Sequence, residues 1–555
     1  MTHPGTVLLS AYALVFVPMV VALVRGRAPW STLLLSPLYA LALTVIAGIV
    51  FGVMSFILHY VGMASGGLLH KILGVATFAI LGHGCGNGLA YERSSHGWYR
   101  RGAVVWNAEP RSRRRRWWRS KDAGQRVPDP NSPITLAGMR VAAKDETKHF
   151  KFIGTTGTGK STAIREMLSA ALARGDRAVI ADPDGGYFSH FYDADRGDVV
   201  LNPFDPDAVK WNLLGEIRND YDVDQLARSL IPDGGSTDRS WSEYARTFFT
   251  AVIQQALVAR VTDDREIYRL LTKAPTQELK ILLAGTMAGP FLEDANDRMF
   301  GSVRSVTSSA VRALRYTTEQ QATPFSVRQW VRQGAARHRG GRGGALFLPY
   351  KAGEIAALRS TISAWMRIAI FEAMDRGEGD QRLWFVVDEL DALGEIDGLK
   401  DALARLRKFG GRCVLGFQSI SQVSSTYGKG AADTIVENCG NSLILRCSAS
   451  EQGGTSQFAS RLIGQREVVH TTQSKTHRPG EWMASTTTNE HRSIEPAIMA
   501  SEIERLSDLK GFLKMASIPD WIRVTLVPVR YPTAVRQRTR QSPAETAPSV
   551  RKLDD

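Results

Sequence analysis

The string GTTGTGKS, residues 154–161, constrains this chain more than any other part of it. It fits the pattern G-x-x-x-x-G-K-[ST] at every fixed position. Gly154, Gly157 and Gly159 let successive backbone N–H groups turn inward around a phosphate chain, an approach that a Cβ would obstruct. Lys160 can then reach the β and γ phosphates, and Ser161 offers its hydroxyl to Mg2+. The positions expected to cradle such a group are Gly154, Thr155, Thr156, Gly157, Thr158, Gly159, Lys160, Ser161 and Thr162. The loop has to join a strand to a helix. KHFKFI (148–153) reads as the strand and STAIREMLSAALARG (161–175) as the helix, closed by Gly175. RAVIADPDGG (177–186) reads as the next strand and turn, which opens a βαβ unit and a parallel sheet.

A phosphate loop needs a carboxylate on another strand to hold the metal's water shell. RLWFVVDEL (382–390) is an apolar run ending in Asp388 and Glu389, as suits a strand buried on both faces with acids at its C-terminal edge. Asp388 is expected to support Mg2+, and Glu389 to orient and activate an attacking water, so ATP hydrolysis is the expected chemistry. LKDALARLRKFG (399–410) reads as a helix closed by glycines, and RCVLGFQS (412–419) as another buried strand. Gln418 ends that strand, where an amide can sense a γ-phosphate; the plainer alternative is a turn-forming glutamine. No LSGGQ-type signature is found, so ABC transport is not expected.

Up to about residue 92 the chain is dominated by Leu, Val, Ala, Ile and Gly, and beyond it the composition is that of a globular protein. TVLLSAYALVFVPMVVALV (6–24) and STLLLSPLYALALTVIAGIVFGVMSFIL (31–58) are each long enough to cross a bilayer. ILGVATFAILGHGCGNGLAY (72–91) is diluted by His83, Asn87 and five glycines, and reads either as a third span or as an interfacial helix. No basic stretch precedes the first segment and no small-residue cleavage site follows it, so it is expected to be retained. RSRRRRWWRSK (111–121) places the large C-terminal body in the cytoplasm by the positive-inside rule. Arg25 and Arg27 favour three spans over two. The same basic stretch reads as an anchor on anionic lipid or as a contact with DNA. The formal net charge of +14 favours an anionic partner of either kind. Cys85, Cys413, Cys439 and Cys447 lack metal-ligand spacing and read as reduced, structural thiols.

With these pieces in order, the chain resembles the type IV secretion coupling proteins, the membrane-anchored RecA-like ATPases of conjugative plasmids. The resemblance extends over about residues 130–530, through LNPFD (201–205), WNLLGEIRNDYD (211–222), LRSTISAW (358–365) and LRKFGGRCVLGFQSISQ (406–422). It implies an α/β fold: a RecA-like P-loop nucleotide-binding domain with an inserted all-α domain and an N-terminal transmembrane helical region. The implied divisions are a membrane region at 1–92, a basic linker at 93–130, nucleotide-binding parts at 131–221 and 321–530, an all-α domain at 222–320 and a disordered tail at 531–555. SWSEYARTFFTAVIQQALVAR (240–260) and GSVRSVTSSAVRALRY (301–316) read as helices of the insert.

The resemblance also carries residue roles. Lys160 and Ser161 match phosphate and magnesium residues, Asp388 and Glu389 the metal and water carboxylates, and Gln418 a γ-phosphate sensor. Arg407 falls where an arginine from a neighbouring subunit would complete the site in a homohexamer, with Arg405 and Arg412 close enough to be confused with it; a solvated charge at a helix end is the plain alternative. The implied partners are single-stranded DNA held without sequence preference, the relaxase and relaxosome proteins, and inner-membrane components of the secretion channel. RQGAARHRGGRGG (332–344) is a candidate DNA contact or an unremarkable surface loop. The short polar tail departs from family members with long acidic tails, which puts partner recognition through a tail in doubt. Rival functions are a chromosome-segregating duplex DNA translocase and a protein-export coupling ATPase that handles no nucleic acid.

Overall fold

The computed structural model describes residues 4–25, 30–60, 67–94, 98–107, 133–233, 239–334, 343–377, 379, 382–450, 454–476 and 485–533. The basic stretch 111–121, most of the glycine-rich segment 332–344 and most of the tail, three features singled out above, lie outside the described residues. The chain forms two compact units, residues 1–102 with 466–495, and 103–465 with 496–555. The implied divisions differ from these, for they gave 466–495 to the nucleotide-binding part. Those residues form most of a long hairpin, Gln465–Thr476 and Ser485–Pro496, whose first strand pairs antiparallel with Trp98–Gly102 and so joins the N-terminal unit.

In the first unit, helices Pro4–Arg25, Trp30–Tyr60 and Leu68–Ser94 pack around Val15, Met19, Leu23, Ala40 and Ala47. Gly5–Arg25 and Thr32–Tyr60 are each long and apolar enough to cross a membrane. The glycines of the third helix have a steric reason. A Cβ at Gly82 would overlap the Val15 carbonyl oxygen, and one at Gly86 would lie 2.6 Å from that of Met19. Small residues four apart let two helix backbones approach closely, which is how helices associate in lipid.

The second unit is built on a ten-stranded sheet. Its strands, labelled in chain order, are β1 (Val105–Asn107), β2 (Phe150–Ile153), β3 (Arg177–Pro183), β4 (Val199–Val200), β5 (Ala345–Tyr350), β6 (Leu383–Val387), β7 (Gly411–Phe417), β8 (Asn441–Ile444), β9 (Lys510–Lys514) and β10 (Trp521–Thr525). They lie in the order β1-β10-β9-β8-β2-β7-β6-β3-β5-β4. From β8 to β4 every pair is parallel, and β9 runs antiparallel to both β8 and β10. The residues of β2, β6, β7 and β8 are all buried. A sheet covered on both faces buries every position of such strands, and β6, LWFVV, is apolar throughout.

Between β4 and β5 the described residues from Asp220 to Glu319 are helical apart from short turns. The apolar residues here, Phe248, Leu270 and Val303 among them, belong to one continuous cluster with Val179, Phe385 and Leu415 of the sheet. Buried charge ties the same region to the long helix Ile355–Asp375: Glu372 accepts from Arg218 (3.0 Å), Arg328 (2.9 Å) and Arg332. Arg332, the first residue of the glycine-rich candidate loop, pairs its guanidinium with this carboxylate while its side chain remains 47% exposed. Residues 301–316 differ from the sequence reading as well, because the helix Asp297–Ala310 ends before a second begins at Leu314.

Candidate active site

The loop after β2 is pinned on three sides. Gly154 donates its N–H to Phe417 O of β7 (3.1 Å), Thr155 donates to Arg446 O beyond β8 (2.9 Å), and Leu509 donates to Thr158 O (2.9 Å). The three glycines answer different demands. A Cβ at Gly154 would lie 2.9 Å from Leu445 Cβ and 2.9 Å from Thr158 Oγ1, whereas Gly157 (φ 78°) and Gly159 (φ 120°) adopt backbone conformations that side chains disfavour. The helix Lys160–Ala173 starts directly from this curve. Buried Lys160 donates from Nζ to the carbonyl oxygens of Gly154 (2.6 Å) and Thr155 (3.3 Å), inside the turn of the loop. Burial lowers its pKa, and the charges of Asp388 and Glu389 oppose that shift.

The strand order brings the acids to the loop. β7 lies between β2 and β6, so one intervening strand, two spacings or about 10 Å, separates the phosphate loop's strand from that of Asp388 and Glu389. Gln418, just past β7, bridges the two: its Nε2 donates to Glu389 Oε1, and its Oε1 accepts from Thr156 Oγ1 (3.2 Å). Burial and the neighbouring Asp388 raise the pKa of Glu389, with the Gln418 hydrogen bond acting against them. Ser161 Oγ donates to Asp388 Oδ2 (2.7 Å). The other oxygen, Asp388 Oδ1, is buried without a hydrogen-bond partner among the described residues. A hydroxyl beside a carboxylate with one orphaned oxygen is a hard-oxygen donor set that suits Mg2+ or its water.

Three further residues shape this edge of the sheet. Tyr187 is buried and donates from its phenol to Asp388 Oδ2 (2.6 Å). Burial and the Asp388 charge raise its pKa well above the ordinary value, so the phenol remains a donor. Asp182, fully buried at the end of β3, accepts from the backbone N–H groups of Tyr187 and Phe188. Burial pushes its pKa up to about 7. At Gly416 a Cβ would overlap the Asp388 carbonyl oxygen, so only glycine permits the close approach of β7 to the acidic turn. An acid ending strand β3 was visible in RAVIADPDGG, but no local pattern pointed to Tyr187 or Gly416.

Arg407 is not part of this cluster. It follows the helix Leu399–Leu406 and precedes β7, so it lies at the strand starts, where it lines a cleft of about 260 Å3 with Lys148, His149, Leu403 and Glu437. Seven residues of β7 run from that edge to the phosphate loop, a span of about 20 Å. Arg405 and Arg407 are exposed. Arg412 is not a candidate for reaching another subunit: it is buried, with Nε bonded to Glu146 Oε2 (2.9 Å).

Fold and site together define a P-loop nucleotide-binding protein of the RecA-like α/β type, carrying N-terminal apolar helices. The family described as Type IV secretion-system coupling protein DNA-binding domain matches residues 133–527, and the chain belongs to it. Coupling protein TraD of Escherichia coli K12 is 29% identical over 391 residues, covering 69% of this chain and 53% of TraD. Conjugal transfer protein TraG of Escherichia coli is 24% identical over 300 residues, covering 47% of this chain and 46% of TraG. The chain thus spans about half the length of these relatives. Among solved structures, the bacterial conjugative coupling protein TrwBdeltaN70 superposes with a TM-score of 0.67 at 29% identity, covering 79% of this chain and 95% of that one. A TrwB complex with ADP and Mg2+ gives 0.65 at 27% identity, with 79% and 96% covered.

Proposed function

We propose that this chain is an ATP-hydrolysing coupling protein that draws single-stranded DNA, with its relaxase, to a type IV secretion channel. The observation that carries the reading is the convergence of Lys160, Ser161, Asp388, Glu389 and Gln418 on one edge of a parallel sheet, in a chain of the coupling-protein family. The TrwB complexes with ADP and Mg2+ and with an ATP analogue support ATP as the nucleotide. Backbone N–H groups of the loop beyond Thr155 hold the phosphates, those of Gly154 and Thr155 being bonded to Phe417 and Arg446, and Lys160 moves from the loop carbonyls to the β and γ oxygens. Ser161 and Asp388 would hold Mg2+, which when bound neutralises charge on the β and γ phosphates. Glu389 takes a proton from the attacking water, and its raised pKa improves it as a base near neutrality. Gln418 touches both the loop and that base, so loss of the γ-phosphate is felt in β7.

Arg407 serves a neighbouring copy, since its own phosphate loop is a strand's length away. That argues for a ring, with a homohexamer the form the family implies. Residues 222–320 act as the all-α domain of the insert, flanked by the nucleotide-binding parts 131–221 and 321–530. Basic charge grips nucleic-acid backbone without reading sequence. The N-terminal region is a three-span anchor in the inner membrane, supported by the close packing of Gly82 and Gly86 against the first helix, with anionic lipid at the basic linker. The ATPase body lies in the cytoplasm, and the secretion channel's inner-membrane components and relaxosome proteins are its partners.

ATP turnover by the full chain in detergent micelles tests this reading, measured alone, with single-stranded DNA and with duplex. Stimulation by single strands that fades with added salt is expected. Equal stimulation by duplex favours a duplex translocase, no response to either favours a protein-export ATPase, and absence of turnover refutes the reading.

A further inference from the structure

Asp388 is asymmetric. Its Oδ2 accepts two hydrogen bonds, from Ser161 Oγ (2.7 Å) and Tyr187 Oη (2.6 Å), while its buried Oδ1 accepts none among the described residues. With one donor alone the carboxylate could turn and exchange its oxygens. Two donors converging on a single oxygen hold it in one orientation, with the other oxygen free.

We propose that Tyr187 is a positioning residue for nucleotide-bound Mg2+, its phenol holding Asp388 so that Oδ1 faces the metal. The proposal rests on the nucleotide reading above. The tyrosine is itself held. Its backbone N–H donates to both oxygens of Asp182 (3.0 and 3.1 Å), and the Phe188 N–H donates to Asp182 Oδ2 (2.7 Å). Asp184 and Gly185, with φ of 58° and 67°, make the turn between Asp182 and Tyr187. The Arg165 guanidinium sits 5.9 Å from the ring centroid. The order of dependence runs from Asp182 to the turn, from the turn to Tyr187, and from Tyr187 to Asp388. Ser161 has a second task when metal is present, because its oxygen lone pair is then given to the ion; Tyr187 has none, which makes it the constant partner of the carboxylate.

Groups that orient metal ligands typically contribute 10–100-fold in metal affinity. The test uses the full chain in detergent micelles and a fluorescent ADP analogue, titrated with Mg2+ and also measured in EDTA. Tyr187→Phe should raise the Mg2+ midpoint about tenfold or more. Metal-free affinity for the analogue should be unchanged, and turnover should recover at high Mg2+. In an Asp388→Asn background the same change should add nothing further. An unchanged Mg2+ midpoint overturns the proposal, as does weakened metal-free binding or a full extra shift in the Asp388→Asn background. If the wild-type chain binds no analogue, the nucleotide reading itself fails; if it binds and Tyr187→Phe behaves identically, only this proposal fails.

Discussion

One buried imidazole should make a separable contribution to the acid sensitivity of this protein. His149 precedes β2 and is 1% exposed. The Cys413 N–H donates to its Nδ1 (3.1 Å), so the ring is neutral with its proton on Nε2, which donates to Leu403 O (2.9 Å). Burial pushes its pKa down from 6.5 to about 4; the Leu403 carbonyl opposes this, and the charges of Arg407 and Arg412 add to it. Above pH 6.5 the imidazole is neutral whether the chain is folded or not, and its contribution is fully present. As pH falls below 6.5 the unfolded chain takes up a proton that the folded one refuses, and the contribution is lost down to about pH 4. At about 1.4 kcal/mol per pH unit, that window amounts to about 3 kcal/mol. Urea unfolding of the full chain, followed by tryptophan fluorescence across the window, should be compared with His149→Asn, chosen because asparagine tolerates the φ of 55° here. Other titrations cancel in the difference, so the wild-type advantage should shrink by about 3 kcal/mol from the top of the window to the bottom. A difference independent of pH would refute the buried neutral imidazole.

Gly416→Ala should push Asp388 off the loop and lower turnover about a hundredfold, the scale of a 1 Å misplacement, with little change in far-UV circular dichroism; near-normal turnover would mean that β7 yields freely. Glu389→Gln should bind ATP and retain it, and wild-type turnover should fall as acid protonates Glu389, whose pKa lies above the ordinary carboxylate range; rapid release of product by the variant would move the base elsewhere. Arg407→Ala should bind ATP normally but hydrolyse it poorly, by about 10³-fold or more, and mixing it with Lys160→Ala should restore part of the turnover, since each copy supplies what its neighbour lacks. A co-assembled but inactive mixture counts against action in trans. A reporter active only in the cytoplasm, fused after Pro29, should give signal if there are three spans; a periplasmic reporter signal at that point means two.

The phosphate loop, the acidic strand end and the apolar helices were legible in sequence because each is local. Spacing along the chain fixes glycine geometry in residues 154–161, and unbroken apolar runs mark strands buried on both faces. Gln418 was legible as a strand-end amide, but its bridge between Thr156 and Glu389 depends on β7 lying between β2 and β6, which is strand order and not spacing. The same holds for Arg407 and Arg412. Five residues apart, they looked interchangeable, yet one ends a helix in solvent while the other is buried against Glu146, 266 positions earlier in the chain. The dilution of the third apolar stretch by glycine was read as weakness, whereas Gly82 and Gly86 are where two backbones meet. Tyr187 carried no signal at all, because a tyrosine after a turn acquires its partner only when β3 and β6 pair side by side and bring their C-terminal ends together. Local chemistry is written in neighbouring residues; which distant groups share an oxygen is decided by sheet order and burial.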